Sequence, residues 1–328
     1  MKKGILLLCL AASSAALVSC SKKPEGASGS AAPEAGPRVK LAILAPGASD
    51  FWSIVKAGAD KASKEFDVDC EVRMPSSAGA SEQKAILEDL LSRGIDGLAL
   101  APFDPANQGE DINNAAAKTN LICTDTDAPK SNRLCYVGTN NYEAGKVAGQ
   151  LLKKALPKGG KVFVCVGTLD AQNAADRNRG LRDAVKGAGI EFLGVLLDNA
   201  DRVKAKANAE DALVTHQDLA AFVGLWSYNG PAIAEAVRAA NRQGKVKIIC
   251  FDEEPTTLQG VKDGLIEATV VQKPFEFGYQ SVRVLAALAR KQDAGIPAGK
   301  MIDTGVQVIT KDNVEAFWAD LKRQTGKA

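Results

Sequence analysis

The sequence predicts an α/β protein built as two doubly wound parallel-sheet lobes, and three observations carry this. Short β-rich runs alternate with helix-period runs from Val39 to Phe251, the pattern of parallel strands covered by helices on both faces. The helical runs carry one apolar stripe each, so each buries one side. The chain has 328 residues, 46% of them hydrophobic, which suits two domains of ordinary size and excludes global disorder.

The elements follow in order. Val39 to Ala45 is a strand stopped by Pro46-Gly47, and Trp52, Val55, Ala59, Ala62 and Phe66 then recur at intervals of three and four residues, one face of a helix. Asp69 to Met74 is the next strand. Ser81 opens a helix striped by Ile86, Leu87, Leu90 and Leu91 and stopped by Gly94. The alternation continues with strands at 95–101, 121–124, 161–166, 191–197, 220–225 and 246–251. The intervening helices are expected at 105–118, 142–155, 176–188, 203–216 and 231–243. Near the end, Trp318 beside Val314, Phe317 and Leu321 reads as lobe packing, and His216, the single histidine, as surface.

The first residues read as an address. Lys2 and Lys3 precede an apolar run from Gly4 to Val18, too short to span a bilayer comfortably. Leu17-Val18-Ser19-Cys20 is the pattern at which bacterial lipoprotein leaders are cut before the cysteine. Residues 1–19 are therefore expected to be removed and Cys20 to carry the lipid, with several acyl chains giving stable anchoring. Residues 20–38, rich in Ser, Ala, Gly and Pro, read as a flexible tether. The expected location is the periplasm or cell envelope, membrane-anchored. Of the remaining cysteines, Cys123, Cys165 and Cys250 lie in apolar runs as small buried hydrophobes, and whether Cys123 pairs with Cys135 stays open.

Charge and motif content exclude several functions. There are 41 Lys+Arg against 39 Asp+Glu, and both excess positive charges belong to the leader. Such a balance gives no footprint for nucleic acid. One histidine and no Cys-x-x-Cys leave a metal site or a Ser-His-Asp hydrolase without support, and no phosphate loop or Gly-x-Gly-x-x-Gly points to a nucleotide. No cofactor is expected.

Sheets of this kind hold ligands at the carboxyl ends of their strands. Those ends are rich in polar and aromatic residues: Ser49 to Trp52, Asp125 to Asp127, Thr168 and Asp170, Trp226 to Asn229, Asp252 to Glu254, and Gln272. Arg177 opens the helix that follows one of them. A sugar needs this set, because its C–H faces pack on aromatic rings while its hydroxyls donate to carboxylates and accept from Arg and amide groups.

The run from Val39 to about Thr310 resembles the ribose-binding-protein family of bacterial sugar receptors, with the two-lobed type I periplasmic-binding fold. The matching segments are Asp50-Phe51-Trp52, Thr124-Asp125, Ala175 to Gly180, Tyr228 to Ala232, Phe251-Asp252, and Ala268 to Pro274. The resemblance implies a first lobe of residues 39–138 and 273–304, a second of 139–272 and 305–328, and a hinge of three crossovers near Thr139, Lys273 and Gly305. It implies that Phe51 and Trp52 hold the sugar from the first lobe and that Asp125 takes a hydroxyl pair. Arg177, Asn229, Asp252 and Gln272 would close from the second lobe and hinge. Two departures separate this chain from the family's ribose binders. Thr126 stands where they carry Arg, and Ala200 where they carry an aromatic, with Trp226 the ring that would replace it.

The expected function is that of a monomeric, lipid-anchored receptor that takes a monosaccharide or polyol and hands it to an ABC permease. The alternative within the same class is a nucleoside or signalling-furanose receptor feeding a sensor kinase or chemoreceptor. A carboxylate-based sugar-active enzyme using Asp125 and Asp252 is the remote rival. It lacks a nucleophile elbow, since Trp226-Ser227-Tyr228-Asn229-Gly230 misses the first glycine. The chain is therefore expected to be no enzyme.

Overall fold

The computed structural model describes residues 38–76 and 79–325; the expected leader, Cys20 and nearly all of the tether lie outside these. From the first described residues the chain runs β1 (Lys40–Leu44), α1 (Asp50–Glu65), β2 (Asp69–Arg73), α2 (Ala80–Ser92), β3 (Gly97–Leu100), α3 (Gly109–Ala116), β4 (Asn120–Thr124) and β5 (Tyr136–Gly138). It continues through α4 (Asn141–Ala155), β6 (Gly160–Val166), α5 (Gln172–Ala184), β7 (Ile190–Leu197), α6 (Arg202–Thr215), β8 (Leu219–Gly224), α7 (Asn229–Ala239) and β9 (Lys247–Phe251). The last stretch holds α8 (Pro255–Lys262), β10 (Ala268–Val271), α9 (Pro274–Ala289), β11 (Met301–Asp303), β12 (Gln307–Ile309) and α10 (Val314–Thr325).

Two sheets result, with the same order. The first reads β2-β1-β3-β4-β5-β11 and the second β7-β6-β8-β9-β10-β12. All pairings are parallel except β12, which runs antiparallel to β10. The chain passes between the sheets three times, after β5, after β10 and after β11. The backbone of the first and third passages is tied together: Asp303 Oδ1 accepts from the N–H groups of Asn140 and Gly305, and Thr304 N–H donates to the Gly138 carbonyl.

Each sheet is covered on both faces by apolar side chains, which is why its strands read as continuous hydrophobic runs. The α1 stripe of Trp52, Val55, Ala59 and Ala62 is buried against β1 and α9, and burial of a side chain the size of Trp52 contributes roughly 2–3 kcal/mol. Cys123 and Cys135 are both free and buried, and they sit in cores on opposite faces of the first sheet. They do not pair.

One difference from expectation bears on the site. α5 starts at Gln172, a turn before the expected Asp176, because the buried stripe of Ala174, Arg177 and Leu181 reaches further back than its polar neighbours suggest. Arg177 is therefore inside the helix on its buried side rather than at its opening. α5 is pressed onto α4 at the backbone: a β-carbon on Gly145 would overlap the Arg177 carbonyl, and one on Gly180 the Tyr142 carbonyl. Glycine at both places fixes the position of Arg177.

Candidate functional site

The carboxyl ends of the two sheets border a cavity of about 710 Å³. Its first-lobe wall is the start of α1, with Ser49, Phe51 and Trp52. Phe51 is half-buried and meets Trp52 and Phe277 edge-on, with ring centres 5.6 Å apart in both cases. Trp52 is 4% exposed, so most of its ring is core and only a margin borders the cavity. Both aromatics expected from the sequence therefore sit at the cleft, Phe51 the more open of the two.

Asp125 and Asp252 enter from the two lobes at equivalent places, each directly after the fourth strand in its sheet order, β4 and β9. Each adopts a left-handed backbone, with φ of 60° and 66°. Asp tolerates that conformation better than most residues, and such strain concentrates at functional sites. The supports are also parallel. Asp125 N–H donates to the Val137 carbonyl and Asp252 N–H to the Val270 carbonyl, while Tyr136 Oη donates to the Asp125 carbonyl and Thr269 Oγ1 to the Asp252 carbonyl. Both main chains are thus pinned by the next strand, leaving the carboxylates to face the cavity.

One cation serves both aspartates. Arg177 is 2% exposed; its Nη1 donates to the Leu225 carbonyl at 2.7 Å and its Nε to Asn141 Oδ1 at 2.9 Å. The guanidinium carbon lies 4.4 Å from the centre of the Phe251 ring, and Nη1 is 4.0 Å from Asp252 Oδ2. Gln272 Nε2 donates to the other Asp252 oxygen at 3.1 Å. Burial pushes the Asp125 carboxyl up to about 6, with the Arg177 charge opposing the rise and the Asp252 charge adding to it. Asp252 is raised for the same first reason, held back by Arg177 and Gln272. The three charges feel one another across the cleft.

Two expected site residues have partners inside the second lobe. Asn229 is fully buried and its amide is already committed: Nδ2 donates to Asp198 and Oδ1 accepts from Trp226 N–H. It stays inside the second lobe because Asp198, also 1% exposed, needs the donor; Tyr228 Oη and the Ala200 N–H supply the others. Trp226 lies over Gly167, meets Tyr228 edge-on at 6.2 Å and donates from Nε1 to Asn173. Its ring belongs to the second lobe's packing, and the neighbouring Ser227 borders the cavity in its place.

Glu253 and Glu254, read at the strand end but not assigned to the site, and Trp318, expected only as lobe packing, also border the cavity. Glu254 is engaged by Arg202 in a two-point ion pair. Burial and then the Asp252 charge raise the Glu253 carboxyl. Adjacency to Asp252 was the available signal for Glu253; none marked Trp318. Among the described residues there is no group of His, Cys, Asp and Glu placed to hold a metal ion.

Comparison with known proteins agrees with this fold. Residues 41–293 match the family described as "Periplasmic binding protein domain". The ribose import binding protein of Salmonella typhimurium is 28% identical over 237 residues, 71% of this chain and 79% of that one. The D-ribose/D-allose-binding protein of Pseudomonas aeruginosa is 26% identical over 289 residues, 84% and 89% of the two chains. Among solved structures, a glucose-galactose binding protein from Geobacillus stearothermophilus superposes with a TM-score of 0.77 at 32% identity, covering 84% of this chain and 99% of its own. A two-sheet fold with a carboxylate-lined cleft, and a family match over most of the chain, lead to one conclusion: this chain is a member of the ribose-binding-protein family of periplasmic binding proteins.

Proposed function

We propose that the chain is the sugar-capturing subunit of an ABC importer, a monomer that binds a monosaccharide or polyol between its lobes and closes on it. The observation that carries this is the pair of aspartates from opposite lobes sharing the buried Arg177 beside an aromatic wall. Asp125 and Asp252 accept hydroxyl protons, Gln272 and Arg177 orient Asp252, and Phe51 and Trp52 receive a C–H face. Because these groups come from both lobes, the ligand contacts both only when the cleft is shut, which is the differential affinity that closure requires. The hinge of this proposal is the three passages between sheets, and its lobes are residues 39–138 with 273–304 and 139–272 with 305–328. The lipid on Cys20 and the tether hold the receptor at the membrane of the cell envelope, where the permease reads the closed form. The names of the relatives, which bind ribose, allose, glucose or galactose, support the sugar class.

The test is a thermal-shift panel of aldoses and polyols, backed by mass spectrometry of any ligand released from purified protein. A sugar at about 100 times its Kd adds roughly 2.7 kcal/mol of stability, a rise of several degrees for a chain of this size. A panel in which no sugar or polyol moves the melting temperature would contradict the proposal.

A further inference from the structure

The helix α10 belongs to the second lobe's core yet reaches the first lobe. Phe317, Trp318 and Leu321 pack on the core beneath α8, and α10 also lies against α1, the helix that carries Phe51 and Trp52. It stands at the inter-lobe cavity, with Trp318 and Leu321 in the wall. Lys322 places its ammonium 5.9 Å from the centre of the Trp318 ring, a cation–π contact that helps hold the indole. The second lobe's other tryptophan, Trp226, is committed to Gly167 and Tyr228, and Ala200 offers no ring.

Resting on the sugar-receptor reading above, we propose that Trp318 is the second-lobe ring of the ligand site, stacking on the face of the sugar turned away from Phe51 and Trp52. The reason is physical. A pyranose or furanose has two faces with C–H character, and the residues that follow β9 and β10 into the cleft, Asp252, Glu253, Glu254 and Gln272, are polar, with Pro255 at the start of α8 the apolar exception. The polar groups satisfy hydroxyls, and none of these residues offers one carbon face an aromatic ring. Trp318 supplies it from a helix anchored in the lobe that closes. The indole thereby selects sugars with an apolar patch on both faces, and it ties ligand affinity to the seating of α10.

The test titrates D-ribose, D-arabinose, D-xylose, D-glucose and D-galactose by calorimetry into the wild type, Trp318→Ala, Trp318→Phe, Trp226→Phe and Asp125→Asn. Trp318→Ala is expected to weaken the best sugar by about tenfold, as loss of a stacked ring does, mainly through faster dissociation. Trp318→Phe keeps affinity within about threefold and Trp226→Phe within about twofold. Because the ring also packs on the core, a second measurement uses Trp52→Phe/Trp226→Phe, in which Trp318 is the remaining indole; saturating sugar should shift its emission and shield it from acrylamide. Trp318→Ala with unchanged affinity, or an indole that stays equally quenchable, overturns the proposal while Asp125→Asn still loses binding. Absence of binding by the wild type for all five sugars overturns the sugar-receptor reading and this one with it.

Discussion

Arg177→Met is expected to abolish sugar binding and to destabilise the ligand-free protein. The guanidinium sits under the cleft with its Nε on Asn141, one Nη on the Leu225 carbonyl and its plane near Phe251. It is the charge that opposes the rise of both Asp125 and Asp252. Methionine fills much of the volume but leaves two part-buried carboxyls without this cation and the Leu225 carbonyl without its donor. Breaking a buried ion pair from one side costs about 3–5 kcal/mol, an upper range here because the carboxyls can take protons instead. A protonated carboxyl accepts hydroxyl hydrogen bonds only through its carbonyl oxygen and without the charge that strengthens them, so affinity should fall by about a hundredfold or more, in line with about 2–5 kcal/mol for truncating a buried charged partner. Arg177→Lys should rescue little, since an ammonium cannot reproduce the planar fork on two partners. Urea unfolding and calorimetry on the same samples measure both effects; affinity within threefold of wild type would refute the role.

Sugar affinity is expected to fall on the acid side of about pH 6, the value to which burial raises Asp125. A hydroxyl donates to the ionised carboxylate, so each pH unit below that value should cost roughly tenfold in apparent affinity while Asp125 is the controlling group. Stability without ligand moves the other way. The folded-state value lies above the ordinary 3.8, so between about pH 4 and about pH 6 the folded protein holds a proton that the unfolded chain has released. The stabilising contribution of that proton is greatest below this window and is lost as pH rises through about 6. Asp252 is raised in the same direction and adds to both trends. Asp125→Asn should therefore raise the melting temperature of the empty protein at neutral pH, flatten its pH dependence and remove sugar binding. An affinity constant from about pH 7 to about pH 5 would count against Asp125 as the acceptor.

The alternation of strands and helices up to Phe251 was legible because each strand buried on both faces is an apolar run and each helix carries one stripe. The strands β5, β11 and β12 were not, since three residues are too few to show a period. Asp125 and Asp252 were readable from their place at strand ends, while their shared left-handed backbone and common cation belong to tertiary structure. Trp226 and Asn229 show where local pattern stops. Their place after β8 points to the cleft, but Gly167 receives the indole and Asp198 claims the amide, and neither partner is near them in sequence. Trp318 shows the converse: its stripe correctly signals packing, and only the approach of α10 to α1 reveals that it also borders the cavity.

Small-angle scattering across a sugar titration tests the central claim most directly, because hinge closure must change the size of the particle. The account predicts that the radius of gyration falls with the same half-saturation as calorimetric binding, and that Arg177→Met shows neither change. A sugar that binds tightly to the wild type while the radius of gyration stays constant through saturation would contradict it.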